Sequence, residues 1–452
     1  MTSPRFVLPA LLTLLVLVVA CRHSTTPSHT SQHKPDKPTY QTDRDATEAR
    51  LTAKRGPLAV TVHSEPNLRI RIGRDQTATT LTAATSITVG PGLKDIGKAR
   101  PYTFQSPLRI GHDQQGFVLT EPNGKSVRWR LSTLEVRAKA GNITIDNHPY
   151  PGRMELVERK NKAGQSTGQF DIINHVGMES YLPGVLSQEL YPNWDLRAYR
   201  AQAIAARSYA IWEMNLPIRK TSHYDLEASE ASQAYIGAKA HDKARTAVAD
   251  TRGQVLVYEG RVLPAFYSSC SGGVGQDAIV AWPEKVDDLA PLRGRVHGGW
   301  GQQSTKYRWG PVKVDRKQLA EGFARWGQAN KHPIASISGL RSVEVSAVNK
   351  VGRPARFIVT DAAGRRFEMQ AEAIRNATNT ALPGNAHQVQ AKAFSSHAVY
   401  TVAGDTVTIT GQGFGHGVGM CQFGAQHMAS SGNSHDKILG FYYPGTRIKK
   451  AY

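Results

Sequence analysis

Cysteine is scarce in this sequence: Cys21, Cys270 and Cys421 are the only three in 452 residues. No CxxC pair and no HExxH occurs, which sets aside zinc ribbons and zincin-type metalloproteases. After the first twenty residues no apolar run approaches eighteen, so nothing beyond that point reads as a membrane-spanning helix. The glycine-rich stretch Gly411 to Gly424 lacks G-x-x-x-x-G-K-[ST], and no lysine follows its glycines. That removes the usual phosphate cradle and argues against nucleotide binding. No internal repeat is present, which excludes solenoids and propellers. Acidic side chains are few, 36 against 56 Lys and Arg, giving a formal net charge of +20. Such a surface attracts acidic partners at long range. The basic residues are dispersed, so charge alone locates no site.

The N-terminus reads as a processing signal. Arg5 precedes an apolar run from Phe6 to Ala20, interrupted by Pro9 and Thr13, and Cys21 follows Ala20 directly. A short apolar segment ending in a small residue is a signal peptide, here 1–20, and is too short for an ordinary span. Ala20-Cys21 resembles a bacterial lipobox, which implies cleavage before Cys21 and lipidation of its thiol. An ordinary secretory signal with a coincidental cysteine is the alternative. Residues 21–57 hold almost no large apolar side chains and read as a disordered tether, because they cannot bury enough surface to offset ordering entropy. The expectation is an exported lipoprotein anchored to the cell-envelope membrane, facing the periplasm or cell wall. Nucleic acid is not a partner there. The polyanions at hand are lipid headgroups, teichoic or lipopolysaccharide phosphates, and the lactyl carboxylates of peptidoglycan glycan strands.

Residues 58–150 read as a β-rich N-terminal region, and 151–452 as the core. Leu68, Ile70 and Ile72 alternate with Arg69 and Arg71, and Val127, Trp129 and Leu131 alternate with Arg128 and Arg130, the period of half-exposed strands. Asn123-Gly124 marks a hairpin turn. Spacing or glycan contact are both open roles for this region. A strand is expected through Ile172 to Val176, a short helix over 241–250 ended by Gly253, and a hairpin across Glu259-Gly260. Residues 335–409 again alternate, with Val343, Val345, Tyr400, Val402, Val407 and Ile409. Helices are expected over about 418–430 and 434–442. Trp282, Trp300 and Trp309 stand among Gly and Pro, either to stack on sugar rings or to pack a core.

The strongest local pattern lies over 178–212. Leu196, Tyr199, Ala203, Ala206 and Ala210 recur at three- and four-residue steps, one face of an Ala-rich helix. Asn193 or Asp195 can cap its start, and Pro217 lies beyond its end. Glu189 stands at the mouth of that helix, where a cleft can form. Leu186, Leu190, Tyr191 and Trp194 flank it and offer an apolar wall. Glu179 competes with Glu189 and is read as a structural group at a strand-to-helix junction.

This stretch resembles the core of the SpoIID/LytB family, which runs roughly E-Y-L-x-G-V-V-x-x-E-M-P, a spacer, and A-L-K-A-Q-A-V-A-A-R-T-Y-A. The matching letters are Glu179, Tyr181, Leu182, Gly184, Val185 and Glu189, then Ala198, Ala201, Gln202, Ala203, Ala205, Ala206, Arg207, Tyr209 and Ala210. Tyr224-Asp225-Leu226 with Gln233-Ala234-Tyr235-Ile236-Gly237 resembles the family's Y-D-L…Q-x-Y-x-G. Tyr267 to Gly273 resembles Y-x-S-x-x-G-G, and Gly415 to Ala425 resembles G-H-G-V-G-M-S-Q-x-G-A. The ordered motifs span residues 173–443.

The resemblance implies an α+β fold, mixed strands and helices around the Ala-rich helix. It also implies a peptidoglycan lytic transglycosylase, which cuts between N-acetylmuramic acid (MurNAc) and N-acetylglucosamine (GlcNAc) and leaves 1,6-anhydro ends. The muramic C6 hydroxyl closes on C1, so the substrate carries its own nucleophile. One carboxylate then suffices where ordinary glycosidases need two. Glu189 is the expected general acid/base, and it must stay protonated near neutral pH. Arg207, Gln233, Tyr267, Ser269, His416 and Gln422 are the motif residues expected to bind substrate or build the site. Arg207, alone among alanines, should face ligand or pair with a carboxylate. No cofactor is implied, and no metal. Aligned on Gly272-Gly273, Ser268 stands where the common family form has histidine and Cys270 falls one place early, which argues against zinc. Cys270 and Cys421 lie in two separate motifs and are expected to form a disulfide, with two free thiols as the alternative. The family's other branch is described as enhancing separate cell-wall amidases. On that reading the protein binds the wall or an amidase and breaks no bond.

Overall fold

A computed structural model describes residues 64–382 and 392–452. The signal peptide, Cys21 and the tether lie outside the described residues. The chain opens as strand after strand: β1 (Asn67–Gln76), β2 (Ala78–Thr82), β3 (Ile87–Pro91), β4 (Tyr102–Phe104), β5 (Leu108–Asp113), β6 (Gly116–Thr120), β7 (Ser126–Trp129), β8 (Thr133–Ala138), β9 (Ile143–Ile145), β10 (His148–Tyr150), β11 (Arg153–Lys160) and β12 (Ser166–Gly177). Next come α1 (Met178–Glu189), α2 (Leu196–Met214), α3 (Pro217–Thr221), β13 (Leu226–Glu227), α4 (Asp242–Asp250), β14 (Gln254–Tyr258), β15 (Arg261–Val262), β16 (Tyr267–Ser268) and α5 (Ala278–Ala281). The last third holds β17 (Arg308–Asp315), α6 (Arg316–Asn330), β18 (Leu340–Val348), β19 (Pro354–Asp361), β20 (Arg366–Gln370), α7 (Ala371–Ala381), β21 (Ala398–Ala403), β22 (Thr406–Gln412), β23 (Met420–Cys421), α8 (Gln422–Ser430), α9 (His435–Tyr442) and β24 (Arg447–Lys450). The fold is α+β, with a β-rich N-terminal region, as the sequence implied.

The N-terminal strands form a seven-stranded sheet, ordered β13-β1-β12-β11-β8-β3-β4, and a six-stranded sheet, ordered β10-β9-β2-β5-β6-β7. Leu68 and Ile70 of β1 point inward and are fully buried, as their alternation predicts. Phe117 of β6 meets Phe170 of β12 edge-on at 5.6 Å, joining the two sheets through one core. The boundary placed at residue 150 cuts through this sheet. β11 pairs with β8 (Leu156 with Leu134), and β12 pairs with β1 (Leu68 with Val176). The Tyr224-Asp225-Leu226 motif fastens the same joint. β13 runs parallel to β1, Asp225 accepts from the Arg69 guanidinium at 2.6 Å, and Arg71 lies 4.1 Å over the Tyr224 ring. These motif residues hold the N-terminal strand to the core.

α2 is buried on almost every face, which is why alanine fills it. Small side chains let α4, α8, α9 and β14 approach closely. Asp195 caps it, its carboxylate accepting from the Arg197 N–H at 2.8 Å. The helix over 178–189 was not foreseen. Its apolar residues Met178, Tyr181, Leu182, Val185 and Leu186 are all buried, at helical spacing. Glu189 therefore ends α1 rather than simply preceding α2.

Residues 309–409 carry a second hydrophobic core. The strands expected there are present, but so are α6 and α7, which alternation alone did not reveal. α7 buries Ala371, Ile374, Ala377, Thr378 and Ala381, an i, i+3/i+4 stripe that was readable in the sequence.

Candidate functional site

Two of the family-like motifs meet through backbone pairing. β16 and β23 run parallel, Tyr267 beside Met420 and Ser268 beside Cys421, and Cys270 bridges Phe414. This pairing brings the start of α8 to the end of α1. Gln422 Nε2 there donates to Glu189 Oε2 at 3.0 Å. Glu189 is half-buried in a cleft of about 370 Å³. Burial pushes its pKa up, and the nearby Glu230 carboxylate adds to the rise. Hydrogen bonds from Gln422 and the Ala234 N–H oppose it without cancelling it. A carboxyl held in this way favours its acid form and can give a proton to a leaving oxygen.

The aromatic wall is not the one expected. Leu186 and Leu190 are buried behind the site, Tyr191 is 57% exposed, and Trp194 packs on Phe423. The cleft wall comes from Tyr209, Phe266, Tyr267, Trp282 and Phe414. Of the three tryptophans, Trp282 alone lines the cleft, stacked on Phe266 at 4.6 Å. Trp300 packs against His427, and Trp309 is buried in the second core.

The remaining motif residues divide between the cleft and its support. His416 lines the cleft with its ring edge-on to Trp282 at 4.8 Å. Its Nδ1 accepts from the Val418 N–H at 3.0 Å. Burial, helped by Arg375 and Arg353, drives its pKa down to about 3, so it stays neutral at physiological pH. Tyr267 and Ser269 also line the cleft. Gln233 lies beneath it, fully buried, donating to the Tyr267 hydroxyl at 3.0 Å and to Ala206 O, and accepting from the Tyr181 hydroxyl. Arg207 does not face the cleft. It is fully buried and forks onto Glu179 at 2.9 and 2.8 Å. Glu179 also accepts from the Gly253 N–H and the Tyr452 hydroxyl, so it is the structural carboxylate that the sequence suggested.

The cysteine pairing is corrected in part. Cys270 and Cys421 are neighbours deep in the protein, but they are not bonded to each other; both are free thiols. The hydrogen bond between the two thiols and the N–H groups of Ser271 and Gly424 hold the pKa of Cys421 down against the opposing effect of burial, while the same hydrogen bond and burial push Cys270 up. Among the described residues no group of three or more His, Cys, Asp or Glu is placed to hold a metal ion.

Several cleft residues escaped the sequence reading: Glu230, Lys285, Glu372, Arg375, Asn376 and Lys392. Glu372, Arg375 and Asn376 belong to α7, so the second core supplies one wall. Arg353, from the turn between β18 and β19, was also missed. Fully buried, it donates to Ser271 O at 2.8 Å, Val274 O at 3.0 Å and His416 O at 3.3 Å. It thereby ties together both glycine-rich loops. Gly417 (φ +75°) makes room for it, since a Cβ there would sit 2.5 Å from the guanidinium carbon.

This is an α+β protein with a protonatable carboxyl at the floor of a cleft lined by aromatic and cationic groups. Residues 166–258 match the family described as SpoIID, stage II sporulation protein, which supports the resemblance to the SpoIID/LytB family. Residues 292–419 match a domain of unknown function, DUF8618. The chain is 28% identical over 292 residues to the amidase enhancer of Bacillus subtilis, covering 59% of this chain and 40% of that protein. It is 28% identical over 294 residues to stage II sporulation protein D of the same organism, covering 62% and 76%. An uncharacterized protein of Brachyspira hyodysenteriae is 29% identical over 281 residues, covering 61% and 68%. The chain thus spans well under half of the amidase enhancer.

Proposed function

We propose that the protein is a peptidoglycan lytic transglycosylase with Glu189 as its general acid and base. The observation that carries this reading is the raised pKa of Glu189 in the cleft, where Gln422 fixes one oxygen. Protonated Glu189 gives its proton to the GlcNAc oxygen as the bond from MurNAc C1 breaks. The muramic C6 oxygen then bonds to C1, and its proton returns to Glu189. The net change is one glycosidic bond exchanged for an internal one, with no water consumed. Trp282, backed by the buried Phe266 on which it stacks, offers an aromatic face to a sugar ring, and Lys285, Arg375 and Lys392 offer cations to lactyl carboxylates freed of their stem peptides. A lipid on Cys21 would hold the protein beside this substrate.

Mass spectrometry of muropeptides, made with the parent and with Glu189→Gln, tests the reading. General acid catalysis contributes about 10²–10⁴-fold, so the variant should lose at least ~100-fold in anhydro ends. Anhydro ends at the parental rate would refute it.

The second reading is that the protein enhances a cell-wall amidase without cutting glycan. The relative named amidase enhancer supports it. Intact glycan strands together with a stimulated amidase would select this reading.

A further inference from the structure

β4 and β7 are the last strands of their two sheets. A groove of about 400 Å³ is lined from both, by Tyr102 and Phe104 of β4 and by Val127 and Trp129 of β7. Arg100 and Lys125 stand on its rim. It shares no lining residue with the Glu189 cleft. Phe104 is its buried floor, with Tyr102 edge-on at 4.8 Å and Trp129 at 6.3 Å. Tyr102 is 50% exposed and Val127 38%. Edge strands are commonly protected by charge, and apolar side chains left together in water mark contact surfaces. Arg100 and Lys125 are exposed, and neither pairs with a carboxylate among the described residues. Of the Glu121 carboxylate beside them, Oε1 accepts from the Gln105 N–H.

We propose that this groove is a second glycan subsite, which takes an anionic amino-sugar strand. An amino-sugar ring is amphipathic. Its C–H face suits the aromatic rings, its hydroxyl and amide edges suit Ser126 and Glu121, and the lactyl carboxylate, free on strands stripped of their stem peptides, suits Arg100 or Lys125. The chain's own N-terminal segment is the poorer occupant. Between Arg22 and Pro57 it carries seven Lys and Arg against four Asp and Glu, the same sign as the rim, and few apolar side chains. The glycan class rests on the cell-wall reading above, but the groove acts whether or not Glu189 cleaves.

The test uses the full chain carrying Glu189→Gln, so that strands stay intact. Binding is measured to purified peptidoglycan glycan strands stripped of stem peptides and to chitotetraose, a neutral relative without the lactyl group. Tyr102→Ala should weaken both by about tenfold, because half-exposed Tyr102 supplies contact area and little fold stability. Arg100→Glu with Lys125→Glu should weaken only the muramic strands. Unchanged strand binding in both variants overturns the proposal, as does loss of binding to anionic phospholipid vesicles in place of glycan. Cleavage is followed separately with Glu189 restored. Groove variants should release anhydro ends from short strands at the parental rate, so failure of the Glu189 assignment and failure of the groove give different results.

Discussion

Glu189 and Glu179 are ten residues apart in one helix and have opposite electrostatics. Burial dominates at Glu189, so its folded pKa lies above the unfolded one. A raised carboxyl stabilises below the unfolded pKa, about 4.3, and loses that contribution as pH rises through the folded value. Cleavage should therefore fall on the alkaline side as the acid form is lost, and Glu189→Gln should melt no lower than the parent at pH 8. A pH–rate profile and thermal melts at two pH values check both expectations. At Glu179 burial also pushes the pKa up, but the Arg207 fork, Tyr452 and Gly253 outweigh it and leave the pKa lowered. Arg207→Met leaves that carboxylate buried without its cation, at a cost of roughly 3–5 kcal/mol. Denaturant unfolding should show the loss, and glycan binding by the remaining folded protein should change little. Asp171 supplies an acid-side signature. Burial raises its pKa, but His223, the Asp75 N–H and Arg71 bring it down to about 2. Its contribution is present above the unfolded value, about 3.9, and is lost as pH falls towards 2. Asp171→Asn should flatten the melting temperature across that window. The two cysteines can be settled by thiol labelling. Denatured, unreduced protein should label at both Cys270 and Cys421, whereas the native protein should label slowly because both are buried.

At the scale of elements, long-range pairing places the chemistry. α1 delivers Glu189, β23 and α8 deliver Gln422, and α7 delivers Glu372 and Arg375 from a separate core. The turn after β18 matters most among the supports, since Arg353 holds three carbonyls of the two glycine-rich loops. Burial lowers its pKa to about 10, so it is still charged at neutral pH. Arg353→Met removes a buried cation as well as its hydrogen bonds, and these effects partly cancel in stability. Cleavage should instead fall by on the order of 10-fold or more, because small displacements of a site are costly. Activity measured at equal folded fraction separates the two effects; unchanged activity would reduce Arg353 to a structural plug. α1 and α7 were both legible as helical stripes. α1 is harder to recognise because Pro183 lies inside it, and α7 because it sits among strongly alternating strands.

At the scale of the whole molecule, excess positive charge should make wall binding sensitive to salt. Retention on isolated cell walls should fall between 50 and 500 mM salt, as screening shortens from about 14 Å to about 4 Å. If the lipid anchor forms, Cys21→Ser should move mature protein from membranes to the soluble fraction; retention after signal cleavage would count against it. The sequence alone determined the family-like motifs, the Ala-rich helix and the strand alternation of β1. These are local: each depends on neighbours three or four residues away, or on the two-residue period of a strand. Tertiary structure alone decided that Arg207 faces Glu179, that the cleft wall is Phe266 and Trp282 rather than Tyr191 and Trp194, and that β1, β3, β4 and β8 share a sheet with strands of the core. It also decided that Cys270 and Cys421 meet as thiols and that Arg353 reaches His416. Each of those contacts joins residues tens to hundreds of positions apart. Which one forms depends on how two cores and several sheets close around the same buried volume, and no local period encodes that.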